Sequence, residues 1–395
     1  MEYSKESLTS VLRKYEVDST VDIKTVDVKR AVDIGNNFVS DVKKVTVTGS
    51  KTVQGVKKDF QKSIIVKELL KNKGISDSLN YDQCFVNEMI AYNKILPELK
   101  KYTVDGELPV PDCIYANESA TALEDLCPEG YETVDRFIGF SVQQIEDILR
   151  VLAKLHSASL VMSEKDPKKL SELSKLIPEL VFVMDPTGLA KSMKSFVRIA
   201  VRVFEELEPT ERNREVLAML NKYYESFQEN NTKLFEVPRK YSVLNHGDAW
   251  GNNILLKERN VKFIDFQLMR FASVASDLTY FFCSTCKPSL KINLDHYLSV
   301  YLDSLHSHLM GFDINLKDIL TMDWLRKEMY DFQPVGFVCS LWFLPLYFFK
   351  KEHLNTDMFT EKQLTDDELR WTKCTPEFKQ RLIEMAYDFC TGFKI

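Results

Sequence analysis

The 395-residue chain has no apolar run long enough to span a bilayer. Its longest, Gly336 to Phe349, contains Pro345 and reads as a buried core helix. An apolar segment is also missing from Met1-Glu2-Tyr3-Ser4-Lys5-Glu6, so secretion is not indicated and a cytoplasmic protein is expected. Basic blocks are absent too. A net charge of −6 and a pI near 5.7 lack the electrostatic footprint of a nucleic-acid binder. Cysteine is sparse, with eight residues scattered over the chain, which excludes a disulfide scaffold. Cys283-Ser284-Thr285-Cys286 has no second pair and follows an apolar segment, so neither a zinc site nor a redox motif is expected there. Glycine-rich phosphate loops are missing as well. Gly49-Ser50-Lys51-Thr52 resembles the end of a Walker A motif, but Gly and Lys are not adjacent and the upstream glycine is absent; a hairpin turn is expected instead. With 45% hydrophobic and 28% charged residues, what remains is an ordinary globular chain long enough for two lobes.

What is present centres on Val243-Leu244-Asn245-His246-Gly247-Asp248-Ala249-Trp250-Gly251-Asn252-Asn253-Ile254-Leu255-Leu256 and the following Val261-Lys262-Phe263-Ile264-Asp265-Phe266-Gln267. Two short apolar runs with the β-branched content of buried strands flank a polar loop, and a carboxylate sits deep in the second run. Buried strands do not carry carboxylates without cause. Phosphoryl transfer supplies one: a carboxylate to accept the attacking hydroxyl's proton, and oxygen ligands to hold Mg²⁺ on nucleotide phosphates. His-x-Asp, an Asn five residues after the Asp, and a strand ending in Asp-Phe follow the order of the protein-kinase catalytic loop and metal-binding Asp, with Gln267 in place of Gly. Asp248 is then the expected base, and Asn253 and Asp265 the expected metal ligands.

Upstream, Leu8, Val11, Leu12 and Tyr15 have helical spacing, and strands are predicted over Val21–Val28, Phe38–Val47 and Phe60–Leu69. Between the first two lies Asp33-Ile34-Gly35-Asn36-Asn37-Phe38-Val39-Ser40, a turn whose amides could cover phosphates or simply close a hairpin. Lys67 ends the run Ser63-Ile64-Ile65-Val66. It is placed to hold the α- and β-phosphates if a carboxylate fixes its ammonium, and Glu88, on a helix predicted from Cys84 to Leu96, is the candidate. A further hairpin, Ile114 to Leu123 with its turn at Asn117-Glu118, runs into Glu124-Asp125-Leu126. Here the backbone is expected to pair with adenine, while the Glu124 and Asp125 side chains are either hinge groups or exposed linker acids.

From Ser141 the pattern is helical: Val142, Ile145, Ile148, Leu149, Leu152 and Leu155 form one face ending at His156, read as a hydrogen-bonded core histidine. Helices are also predicted over Pro186–Leu207 and Thr210–Phe227. After Gln267 only a short connection leads to Asp277, with no Ala-Pro-Glu activation segment, which argues for a small-molecule acceptor. Asp277 is either the N-cap of a helix Leu278–Phe282 or a brace for the catalytic loop. The aromatic last third, Trp324, Trp342, Phe343 and Trp371 among others, reads as core with some residues free to line an acceptor pocket.

These segments together resemble the ecdysteroid kinase-like (CHK-kinase-like) proteins of insects, related to choline kinases and aminoglycoside phosphotransferases. The resemblance runs from about Gly35 to the C-terminus. It rests on Gly35-Asn36-Asn37-Phe38-Val39-Ser40, Ile64-Ile65-Val66-Lys67, Phe85-Val86-Asn87-Glu88, Leu123-Glu124-Asp125-Leu126, Leu155-His156-Ser157, His246-Gly247-Asp248 through Asn253, Asp265-Phe266-Gln267 and Asp277-Leu278. Asn36 replaces the more usual acidic residue and Ser157 the more usual Ala. The resemblance implies an α+β, protein-kinase-like bilobal fold: a small antiparallel-sheet nucleotide-binding lobe over 1–125 and a large, mostly helical catalytic and acceptor-binding lobe over 126–395.

It implies ATP and Mg²⁺ as cofactors, with Asp248, Lys67 and Glu88 catalytic. Gly35, Asn36, Asn37, Phe38, Ser40, Lys67, Glu124, Asp125 and Leu126 would lie against the nucleotide, and Asn253 and Asp265 against the metal. The implied acceptor is a hydroxylated small molecule, an ecdysteroid or a dietary or xenobiotic compound. Two alternatives stand beside it: a choline or ethanolamine kinase, and a nucleotide-binding pseudokinase scaffold, against which the intact Lys67, Asp248, Asn253 and Asp265 speak.

Overall fold

The computed structural model describes residues 2–31, 40–69, 81–135, 138–184, 188–285, 293–348 and 375–391. The expected phosphate-loop residues Gly35, Asn36, Asn37 and Phe38 lie outside them, as do Cys286, Phe349 and Trp371.

The N-terminal helix α1 (Lys5–Tyr15) forms where its spacing predicts, started by Ser4, whose hydroxyl accepts from Ser7 N. Its apolar stripe, Leu8 and Leu12, is fully buried against Val45, Val47, Ile64 and Val66 of the sheet behind it. Each leucine contributes about 1.5–3 kcal/mol by that burial. The sheet is antiparallel, in the order β1 (Asp22–Arg30), β2 (Ser40–Val53), β3 (Val56–Leu69), β5 (Ala120–Glu124), β4 (Cys113–Asn117).

One expectation fails here. Gly49–Thr52 is not a turn: β2 runs through it to Val53, and the chain reverses at Gln54 and Gly55, both with positive φ. Gly49 is needed for a different reason, since a Cβ there would lie 2.0 Å from the Asp22 carbonyl oxygen, where β1 crosses close at an irregularity between Ile23 and Thr25. A glycine demanded by crowding and one demanded by a turn look alike in sequence.

Between β3 and β4, helix α2 (Tyr81–Ile90) passes into a π-helical turn at Ala91–Ile95, ahead of Pro97. The β4–β5 reversal is closed by the Asn117 side chain, which accepts from Ser119 N and Ala120 N. Past β5 the chain becomes mostly helical. A short strand β6 (Glu132–Thr133) precedes α3 (Val142–Lys165), opened by a capping box between Ser141 and Gln144. That helix continues past His156 to Lys165 because Ala158, Leu160, Val161 and Met162 carry on its buried face.

Helices α4 (Pro167–Ser174), α5 (Leu189–Glu206), α6 (Glu211–Glu225) and α7 (Phe227–Glu236) lead to β7 (Val243–Asn245), β8 (Ile254–Lys257), β9 (Asn260–Phe263) and β10 (Arg270–Ala272). β7 pairs with β10, and β8 lies between β6 and β9. The chain closes with α8 (Val274–Thr285), α9 (Leu294–Met310), α10 (Met322–Phe348), which has Pro334 and Pro345 inside it, and α11 (Pro376–Cys390). Among the described residues no helix is long and apolar enough to cross a membrane.

Candidate active site

The loop between β7 and β8 is held from behind by one buried carboxylate. Asp277, fully enclosed in α8, accepts from His246 N at 2.7 Å, Gly247 N at 2.8 Å and the His156 ring at 3.1 Å. Since α8 starts at Val274, Asp277 is not its N-cap, and of the two readings open in the sequence the brace is the one realised. Burial pushes the Asp277 carboxyl up, but the hydrogen bonds it accepts, from His156 first and from the Gly247 amide, more than reverse this, leaving it lowered. His156 passes the chain of bonds on to the Tyr301 hydroxyl at 2.9 Å, as a satisfied core histidine.

His246 ties the two strands together. Its Nδ1 accepts from Asp248 N at 3.1 Å, its Nε2 donates to Ile264 O at 3.0 Å, and its ring lies 4.5 Å from that of Phe266. Burial lowers its proton affinity, in keeping with a neutral imidazole.

On this scaffold the expected site residues converge. Asp248 accepts from the Asn253 amide nitrogen at Oδ2, 2.9 Å away, and from the Tyr280 hydroxyl at Oδ1. Its carboxyl is pushed up to about 7, first by burial and then by the charge of Asp265. Asn253 directs both amide protons at Asp248, one to its carbonyl and one to its carboxylate, which leaves its amide oxygen for an external ligand.

Asp265 has φ +69, a left-handed conformation that costs a non-glycine residue roughly 1–2 kcal/mol. The Lys67 ammonium holds it there at 2.7 Å. The same ammonium lies 3.3 Å from Glu88 and 3.3 Å from the Gln267 amide oxygen. Burial pushes Lys67 down, and the carboxylates of Asp265 and Glu88 more than reverse it, so its proton is held tightly. Glu88 is raised by burial, which a lysine shared with Asp265 only partly offsets.

All five side chains line one cavity of about 760 Å³ that lies against both lobes. Glu124, Asp125 and Leu126 line it too, but the carboxylates of the two acids are engaged elsewhere. Asp125 is paired with Lys44 at 2.7 Å and accepts from Ser63 and from Cys127 N; Glu124 accepts from Asp112 N and lies 3.3 Å from Lys262. Both side chains brace the crossing between the lobes. Ser40, the first residue of β2, is buried opposite Leu69 and is not among the described residues that line the cavity.

Several functional positions carry no mark in the sequence. Tyr280 reads there as one more residue of an apolar helix, although it lies three residues after Asp277 and so shares its face. Asn87 donates from its amide to Gln267 O and Met269 O, both at 2.9 Å, latching the Glu88 helix to the segment after Asp265. Arg270 and Glu179 form a buried ion pair at 2.8 Å; Arg270 also donates to Gly247 O, and Glu179 accepts from Phe182 N and Val183 N. No local pattern marks a pair so far apart in the chain.

Among solved structures the chain is similar to a choline kinase from Cryptosporidium parvum Iowa II, at 11% identity over 98% of this chain and 96% of that one, TM-score 0.50. It is also similar to a spectinomycin phosphotransferase in complex with ADP and spectinomycin, at 12% identity over 99% and 98%, TM-score 0.45. A Plasmodium vivax ethanolamine kinase aligns at 14% identity over 95% and 89%, TM-score 0.45. Only the first likeness is close enough to bear on architecture, and it gives the kinase-like fold. No curated protein matches the sequence. The profile of the ecdysteroid kinase-like family matches residues 34–313, most of the chain, and the protein belongs to that family of kinase-like small-molecule phosphotransferases.

Proposed function

We propose that the protein transfers the γ-phosphoryl group of ATP to an alcohol hydroxyl of a neutral, largely apolar small molecule, an ecdysteroid or a dietary or xenobiotic hydroxylated compound. The observation that carries this reading is the convergence of Lys67, Glu88, Asp248, Asn253 and Asp265, drawn from four separate stretches of chain, on one cavity. In this reading residues 1–125 hold the nucleotide and residues 126–395 the acceptor. The adenine lies between Val42, Ile65 and Leu123 on one side and Leu255 and Ile264 on the other, all lining the cavity. Lys67, steadied by Glu88, holds the α- and β-phosphates, and Asp248 receives the acceptor's proton as the phosphoryl group passes in line.

The residues present fit a magnesium ion. Asp265 already has a cation at 2.7 Å from one carboxylate oxygen, and the Asn253 amide oxygen is left for a ligand. Bound with the nucleotide, it would be held by Asp265 and Asn253 and would neutralise charge on the phosphates. Asp265 would then exchange part of its hold on Lys67 for that ion.

The acceptor class follows from the wall beyond Asp248. The side chains that α5, α8, α10 and the 181–182 turn contribute to the cavity, such as Phe182, Met193, Val335, Trp342 and Phe343, are all uncharged. An uncharged, largely apolar wall of this kind suits a polycyclic alcohol. A second reading, a choline or ethanolamine kinase, has in its favour the cluster of Trp250, Trp342 and Phe343, which could face a quaternary ammonium. Against it, α5, α8 and α10 bring no carboxylate to the cavity among the described residues, and the acids that line it outside the catalytic set and the 124–125 crossing are Glu132 and Asp135.

The test is ADP release with MgATP and a panel of ecdysteroids, plant glycosides and choline, run beside Asp248→Asn. Turnover with neutral polycyclic alcohols, lowered about 10²- to 10⁴-fold in D248N while ATP still binds, is expected. Near-normal turnover in D248N would remove Asp248 as the base, and choline as the preferred acceptor would replace the acceptor class.

A further inference from the structure

Tyr280 is buried, lines the cavity, and directs its hydroxyl to Asp248 Oδ1, its only side-chain hydrogen bond among the described residues. Its ring is fixed as firmly as its hydroxyl. It stands edge-on to Phe343, with centroids 5.7 Å apart, and Phe343 in turn packs 4.8 Å from Trp250 of the catalytic loop itself. Asp277 and Tyr280 lie one turn apart on α8, so a single rigid helix grips the loop twice: Asp277 takes the amides of His246 and Gly247, and Tyr280 takes the side chain that follows.

Asn253 holds the other oxygen of Asp248 at 2.9 Å. One anchor leaves a carboxylate free to rotate about its last bond, whereas two anchors on its two oxygens fix its plane and hence the direction of its remaining lone pairs.

We propose that Tyr280 is a positioning residue for the phosphoryl transfer, setting the plane of the Asp248 carboxylate toward the acceptor hydroxyl. The inference rests on Asp248 acting as the base. It assigns a role to a side chain whose hydroxyl would otherwise be only a satisfied polar group at the edge of an aromatic cluster. Losing a hydrogen bond to a charged group that orients a reacting side chain lowers turnover by about 10- to 100-fold.

The experiment compares Tyr280→Phe, Asp248→Asn and the double variant, following ADP release with the fastest acceptor of the panel above, water being counted as one acceptor. Tyr280→Phe keeps the ring and its packing. The expected result is a 10- to 100-fold fall in kcat, with KM for ATP and acceptor within about twofold of the parent, and no further fall when the change is added to D248N. A merely structural role would instead give equal penalties in both backgrounds, because loosened packing harms the enzyme whether or not the carboxylate is present. Additive penalties, or a Y280F enzyme with parental kcat beside a strongly slowed D248N, overturn the Tyr280 assignment alone. Near-normal turnover in D248N overturns the base reading and this inference with it.

Discussion

Replacing Asp277 by alanine removes the acceptor of three buried donors at once: His246 N, Gly247 N and the His156 ring. Each donor left unpaired in a dry site costs about 1–3 kcal/mol. Some relaxation will recover part of this, so a loss of about 4 kcal/mol is expected. For 395 residues the unfolding entropy is about 0.8 kcal/mol/K, so the melting temperature should fall by about 5 °C. Urea unfolding followed by tryptophan emission is the appropriate assay, because Trp250 lies in the braced loop itself and Trp342, on α10, packs with it around Phe343. Asp277→Asn keeps one acceptor but presents an amide NH₂ to the remaining donors, so it should lose about half as much. The kcat of Asp277→Ala should drop at least tenfold, since Asp248 follows directly on the two released amides. An alanine variant within about 1 kcal/mol of the parent would refute the idea that this carboxylate organises the loop.

Three shorter expectations can be checked alongside. Gly247→Ala places a Cβ 1.8 Å from Leu268 O at φ +86, so it should cost about 2–5 kcal/mol in urea unfolding and abolish turnover; a stable, active variant would contradict the backbone geometry. The acid limb of kcat/KM should lie well above the ordinary carboxylate range near 4, toward the value of about 7 given by burial of Asp248 beside Asp265. The base works deprotonated, so activity falls as pH drops through that limb, and a limb near pH 4 would count against the assignment. Asp125→Ala frees Lys44, Ser63 and Cys127 N at the lobe crossing, so KM for ATP should rise several-fold with kcat little changed; an unchanged KM would leave the brace without a role.

The parts of the site that are legible in the sequence are those whose chemistry restricts the residue type. A lysine near the end of a strand, a glutamate on the next helix and an Asp-x4-Asn loop before a second Asp that follows an apolar run rarely fall in that order unless phosphates and a metal are to be held. The supporting groups are hidden for physical reasons. Tyr280 and Arg270 hold the loop through contacts across 32 and 23 residues of chain, and neither tyrosine in an apolar helix nor arginine in a short connection violates any local pattern. Elsewhere one symbol carries two meanings. Gly49 reads as a turn because a crowded strand crossing needs the same missing Cβ, and α3 seems to end at His156 because a buried polar residue resembles a boundary.

The two prolines inside α10 have a consequence for how new substrates could be admitted. Each deprives the helix of one rung of its ladder, at Pro334 and again at Pro345, and between them lie Cys339, Trp342 and Phe343 of the cavity wall. That stretch is a panel hung at both ends. On the reading proposed above, exchanging Val335 or Cys339 would reshape the acceptor's berth, whereas Phe343, packed on Trp250 and Tyr280, is tied to the loop and would carry any change into it.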